Sequence, residues 1–180
     1  MTERLTSAAV IGVLGAAAFL VTVYAVAVPI WALFVGWASL VAAGGGVGGV
    51  RRSLPMASVG IISATVTLTA AHALGGGPLV TALCIVFGAG VLVAIGHYDL
   101  FSFTPASFLG FASTVGIIAA SGRSIADAPS LNHPAVTALV AVVLGTAFGF
   151  LAEQATHFLG RVTAHGPSSG KVETDVETAH

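Results

Sequence analysis

The sequence contains few charged residues. Only 7% of its 180 residues are Asp, Glu, Lys or Arg, and 56% are hydrophobic. Its mean hydropathy is +1.00. Soluble domains carry about 25% charged residues, so this composition excludes a water-facing surface over most of the chain. We therefore expect a membrane protein whose first partner is the lipid bilayer.

Other scarce residues and missing motifs exclude further classes. Lysine occurs once, at Lys171, so no Ser-Lys pair can form within an apolar run, and no basic cluster is present to bind nucleic acid. Cys84 is the only cysteine and makes neither an intrachain disulfide nor a thiolate metal pair. The H-E-x-x-H motif is absent, and no G-x-S-x-G motif lies within an apolar run. Residues 44–49 are glycine-rich but lack the G-K-[ST] of a phosphate loop. We expect no enzymatic activity, cofactor or metal.

The sequence does contain six apolar runs separated by proline, glycine and polar residues. A helix that crosses the hydrocarbon core needs about 20 mostly apolar residues. The predicted helices cover residues 7–28, 31–49, 55–74, 79–97, 105–121 and 135–156. Residues 1–160 then form one all-α transmembrane domain, and the polar residues 161–180 form a disordered tail.

The basic residues predict how six spans are oriented. Loops rich in Lys and Arg favour the cytoplasm. One side of the membrane would carry Arg4, Arg51, Arg52, Arg161 and Lys171, and the other side would carry Arg123. This asymmetry predicts that both termini are cytoplasmic.

One segment of the chain recurs. WALFVGWASLV at 31–41 matches PASFLGFASTV at 105–115. Positions that are identical at an offset of 74 residues include Phe34 and Phe108, Gly36 and Gly110, Ala38 and Ala112, Ser39 and Ser113, and Val41 and Val115. Because each half holds three helices, the second half enters the membrane inverted. This predicts two inverted repeats, about 7–74 and 79–156, with a solute site near the midplane between them.

The duplicated helices carry the candidate path for a small neutral solute. The candidate pore-lining residues are Ser39, Ser113, Gly36 and Gly110, and the candidate constrictions are Phe34 and Phe108. The alternative interpretation is that the small residues only let helix backbones approach. A small-residue face that points inward, beside a polar cavity, favours a conduit. One that points outward favours partner binding.

Ionisable residues lie near the predicted helix ends. Glu153 and His157 are one helical turn apart and can contact each other. Together with His97 and Asp99 they are candidates for an inner vestibule. The alternative for each histidine, including His72, is a helix-end polar group. Because no titratable residue lies deep in a span, a proton-coupled pump is disfavoured.

Three apolar motifs resemble a known family. They are W-x-x-F at Trp31 and Phe34, S-F-x-P-x-x-F-x-G at 102–110, and LGTAFGFLAE at 144–153. Over about 8–158 the chain resembles the YcdZ-like bacterial inner-membrane proteins, a family of unknown function. The resemblance implies a small multi-pass protein of the bacterial inner (plasma) membrane, and it carries over no activity and no site residues. The chain departs from the family pattern in its 122–133 loop and in its glycine-rich stretch.

Three functional hypotheses follow. The first is a passive channel or facilitator for a small uncharged solute. The second is a non-transporting scaffold or assembly partner, and the third is a histidine-dependent coupled transporter. Because six short helices enclose little volume, a homo-oligomer is compatible with each of them.

Overall fold

The computed structural model describes residues 2–98, 103–128 and 130–164. Every regular element in these ranges is an α-helix, as the sequence predicted. The helices are α1 Thr2–Tyr24, α2 Ile30–Ala42, α3 Gly46–Ala73, α4 Pro78–Ile95, α5 Thr104–Ser121 and α6 Pro134–Ala164.

Five of these helices are long and apolar enough, by length and composition, to cross a membrane. This agrees with a multi-pass membrane protein. The exception is α2, which has 13 residues. At 1.5 Å per residue it is about 20 Å long, shorter than a hydrocarbon core of about 30 Å.

The boundary between the second and third helices differs from the prediction. Residues 44–46 have φ angles of 95°, 68° and 58°, a left-handed conformation that favours glycine. They end α2 at Ala42 instead of residue 49, and α3 begins at Gly46 instead of residue 55. Pro55 therefore lies inside α3.

The last helix also extends beyond its predicted end. It continues to Ala164 instead of stopping at residue 156, so it includes the first residues of the predicted tail. The rest of that tail, 165–180, lies outside the described residues.

The bundle is held together by two principal helix pairs, α2 with α6 and α3 with α5. In each pair the backbones approach so closely that a Cβ atom added to a glycine would collide with the backbone of the opposite helix. The colliding pairs are Gly36 with Val142, Gly145 with Leu33, Gly110 with Ala57 and Gly60 with Ser107. Small residues at such crossings are the usual means of packing helices in lipid.

The loop between α5 and α6 is held by hydrogen bonds to His133. The ring Nδ1 accepts the N–H of Ala135 at 3.3 Å, and Nε2 lies 3.1 Å from the carbonyl oxygen of Ile125. Since Nδ1 accepts a hydrogen bond, Nε2 carries the proton and donates a hydrogen bond to the carbonyl oxygen of Ile125. His133 thus joins the loop to the first turn of α6.

Replacing His133 by alanine should loosen this loop. Two hydrogen bonds of about 1 kcal/mol each are lost, so we expect trypsin to cleave after Arg123 about tenfold faster or more in the detergent-solubilised protein. Gel analysis of the fragments over time measures the rate. His97→Ala is the control, because His97 is exposed and makes an edge contact with Tyr98. Equal cleavage rates in both variants would contradict the assigned role of His133.

Candidate functional site

The predicted lining residues all face into the bundle. The buried residues of α2 and α5 include Gly36, Ser39, Gly110 and Ser113. The structure places Phe34 and Phe108 on the outer face, where 44% and 42% of their surfaces are exposed. The inward small face is therefore present, but the two rings do not lie inside the bundle.

These buried small residues are packed against neighbouring helices. Gly36 lies against the backbone of Val142, and Gly110 lies against that of Ala57. The Ser113 hydroxyl donates to the Leu109 carbonyl oxygen at 2.9 Å. Neither of the two clefts described below is lined by a predicted pore residue. The centre of the bundle is thus closed in this conformation.

A cleft of about 370 Å³ lies where α1 begins and where α2 and α6 approach their ends. We call it the acidic cleft. Its lining includes Ser7, Trp37, Gly45, Glu153, Thr156 and His157. The structure therefore brings together Glu153 and His157, as the helical spacing predicted. His97 does not line this cleft, and Asp99 lies outside the described residues.

The carboxylate of Glu153 contacts the turn between α2 and α3. Its Oε2 accepts the backbone N–H of Gly46 at 2.5 Å. The first N–H groups of a helix have no partner within the helix and carry a partial positive charge. A carboxylate at this position therefore stabilises the start of α3. Gly45 leaves room for it, because a Cβ atom there would meet the carboxylate.

A second cleft, of about 190 Å³, lies at the opposite end of α3. We call it the opposite cleft. Its lining includes Leu68, Ala71, His72, Thr81, Ile118 and Ile125. Because α3 starts beside Glu153 and is about 42 Å long over its 28 residues, the two clefts lie near opposite ends of the bundle.

The sequence interpretation missed Ser7, Thr156 and the opposite cleft. One available signal was a second repeat. Residues 57–72 and 142–157, 85 positions apart, share glycine at 60 and 145, alanine at 70 and 155, and histidine at 72 and 157. Among the described residues, no three His, Cys, Asp or Glu side chains are grouped so that they could hold a metal.

The chain matches the model of one protein family over most of its length. A search of the curated proteins and a search of the solved structures found no match. The model of the family described as "Protein of unknown function (DUF1097)" matches residues 8–157. Because that match covers most of the chain, the protein belongs to the DUF1097 family.

Proposed function

We propose that the protein is a passive channel or facilitator that carries a small uncharged solute across the bacterial inner membrane. The path runs between two inverted repeats, α1–α3 and α4–α6. The observation that carries this proposal is the equivalence of the glycine crossings in the two principal helix pairs.

The crossings form two equivalent sets. The 74-residue offset relates α2 to α5, and the 85-residue offset relates α3 to α6. Under these offsets the contact of Gly36 with Val142 corresponds to that of Gly110 with Ala57. The second set of equivalent contacts is Leu33 with Gly145 and Ser107 with Gly60. This correspondence supports a duplicated unit in which the second and third helices of each half pack against those of the other half, so that the repeat interface lies at the centre of the bundle, where transporters with inverted repeats have their substrate site.

The end clefts support the same plan. The offsets relate Ser7 to Thr81 and His157 to His72, and each pair is divided between the two clefts. A path between the repeats would have these clefts as its two mouths. The mouths differ in charge, because Leu68 stands in the opposite cleft where Glu153 stands in the acidic cleft.

The nature of the lining favours a neutral solute. The central small faces carry the hydroxyls of Ser39 and Ser113, with no ionised side chain in either α2 or α5. A hydroxyl can hydrogen-bond a neutral polar solute, whereas an ion would lose its hydration without a countercharge. Because the glycine crossings close the centre, conduction requires the two repeats to separate slightly.

The membrane orientation is part of the proposal. Six crossings place both termini in the cytoplasm, since five of the six basic residues then share that side. The resemblance to the YcdZ-like proteins supports the bacterial inner membrane. For α2 to count as a crossing, its 13 residues must be completed by the chain around it.

A scaffold is the second candidate, and one observation favours it. In both α1 and α4 only 11% of the apolar window is buried within the protein. These faces are available to lipid, to a second copy or to another membrane protein. A scaffold would use them without conducting any solute.

Solute flux separates the two candidates. We expect proteoliposomes with the wild-type protein to admit glycerol, urea or formamide faster than empty liposomes in stopped-flow light scattering. Ser39→Leu with Ser113→Leu should reduce this excess flux about tenfold or more, because each leucine places an isobutyl group where a hydroxyl stood. Incorporation is matched, and each variant is first shown to be monodisperse.

Ala38→Leu with Ala112→Leu is the matched control. These alanines are also equivalent at the 74-residue offset, but both are exposed on the outer face. The control should retain the wild-type flux. Flux no faster than that of empty liposomes for every solute would remove the conduit proposal and leave the scaffold.

A further inference from the structure

Two buried hydroxyls in the bundle have no hydrogen-bond partner. Ser39 and Ser53 are each 1% exposed, and neither Oγ atom is paired. Several other hydroxyls in the bundle donate to a carbonyl oxygen of their own helix. Examples are Ser58 to Leu54, Thr65 to Ile61, Ser113 to Leu109, Thr114 to Gly110 and Thr146 to Val142.

The unpaired state is unfavourable and avoidable. A buried hydroxyl without a partner costs about 1–3 kcal/mol. In a helix the carbonyl oxygen four residues earlier is within reach of a serine side chain. Ser113, the equivalent of Ser39, uses that solution. Ser39 and Ser53 therefore depart from the arrangement of the neighbouring hydroxyls, which indicates that a partner outside the protein completes them.

The two hydroxyls lie within about one helical turn of each other in height, toward the end of the bundle that holds the acidic cleft. The side chain and carbonyl oxygen of Leu40 lie 3.1 Å from the position that a Cβ atom of Gly49 would take, which sets the register of α2 against α3. Ser39 precedes Leu40, and Ser53 follows Gly49 by one turn. Leu40 and Trp37 both line the cleft.

Ser39 also faces the core and not the lipid. It lies two turns from Ala32 on the same side of α2, and Ala32 belongs to the buried core cluster that contains Met56 and Ala57 of α3. The pair is therefore buried, at a height between the acidic cleft and the centre of the bundle.

We propose that Ser39 and Ser53 form a binding step for a small neutral solute with an acceptor oxygen, such as an alcohol or a carboxamide. Each hydroxyl can donate to that oxygen and can accept from a donor on the same solute. The pair offers no countercharge and so does not select an ion. This proposal rests on the proposed function and adds Ser53 and a solute class to it.

Flux is the first test. In proteoliposomes, Ser39→Ala with Ser53→Ala should lower glycerol and formamide flux about tenfold or more, because both hydrogen bonds to the solute are lost. Ser58→Ala is the matched control. It removes a serine hydroxyl from the same helix as Ser53, but that hydroxyl is already bonded to Leu54. Unchanged flux in the double variant, with a conducting wild type, overturns the binding step and leaves the proposed function standing.

Stability is the second test. The double alanine variant should conduct less solute than the wild type, but it should be more stable. In detergent, removing two unpaired hydroxyls should raise the unfolding midpoint by about 4 °C or more, whereas Ser58→Ala should leave it unchanged or lower it. A lower midpoint for the double alanine variant would show that the protein itself pairs these hydroxyls, and it would overturn the proposal.

If the wild-type protein conducts no solute, the proposed function fails, and a third measurement then tests the two serines by themselves. Ser39→Cys and Ser53→Cys, each in a Cys84→Ala background, are then treated with a hydrophilic methanethiosulfonate reagent. Reaction at both positions supports a polar site that water can reach. Thr146→Cys is the control, because its hydroxyl is buried and bonded to Val142. Absence of reaction at both serine positions overturns the binding step as well.

Discussion

Gly145→Ala should cost the protein at least about 3 kcal/mol of stability. Adding volume to a packed interface usually costs about 1–3 kcal/mol. Here the added Cβ atom meets the carbonyl oxygen of Leu33, which belongs to a helix backbone and cannot rotate away. The gain in helix propensity, about 1 kcal/mol, offsets only part of this cost. Gly60→Ala should behave alike, because its Cβ atom meets the Ser107 carbonyl oxygen.

Thermal unfolding in detergent measures this effect, and Gly90→Ala provides the control. Gly90 is also inside a helix, but a Cβ atom there meets nothing within 4 Å. We expect that variant to be neutral or more stable by about 0.5–1 kcal/mol. If Gly145→Ala were as stable as Gly90→Ala, α2 and α6 could not cross at backbone distance.

Gly45→Ala should lower the free energy of unfolding by about 3 kcal/mol, for a different reason. Gly45 has a φ angle of 68°, where an alanine is strained by about 1–2 kcal/mol. Its Cβ atom also displaces the Glu153 carboxylate. That carboxylate then loses its charge-assisted hydrogen bond to Gly46, a loss of about 1.5–3 kcal/mol. Gly44→Ala, with nothing within 4 Å, should show the backbone strain alone.

A double-mutant cycle with Glu153→Ala tests this explanation. Both single changes remove the same hydrogen bond, so the double variant should lose less stability than the sum of the two. Unfolding midpoints in detergent supply the four values. Strict additivity would show that Glu153 and the turn stabilise the protein independently.

The number of helices in the described part of the chain could be predicted from the sequence, but the α2–α3 boundary could not. Apolar runs mark each helix because lipid tolerates few charged groups. Arg51 and Arg52 were assigned to a loop for the same reason. In the structure they are exposed in the first turns of α3. With 28 residues this helix is about 42 Å long, which is more than the roughly 30 Å thickness of the hydrocarbon core. A helix that extends into the interface can carry charges there.

The repeat identified equivalent residues without showing which of them face inward. Ser39 is buried while Phe34 and Val41 are exposed, although all three recur at the same offset. Helical periodicity sets Ser39 apart from Phe34, but it also sets Trp37 close to Phe34 on the helix surface, and Trp37 is buried. The positions that match at this offset include exposed residues as well as core residues.

Long-range polar contacts were beyond prediction. The spacing of Glu153 and His157 was sufficient to place both in one cleft. The hydrogen bond from Gly46 to Glu153 joins residues 107 positions apart, and no local pattern indicates it. It depends on the bundle bringing the end of α6 against the turn that follows α2.

The packing of α2 against α6 has a consequence for biosynthesis. The principal partner of α2 is α6, the last of the described helices along the chain. During translation α3, α4 and α5 are therefore synthesised before the main partner of α2 is available. At 13 residues it is too short to rely on its own length for a stable position in lipid. Its final placement should therefore follow the insertion of α6, and a nascent chain that ends after α5 should leave α2 open to cellular proteases.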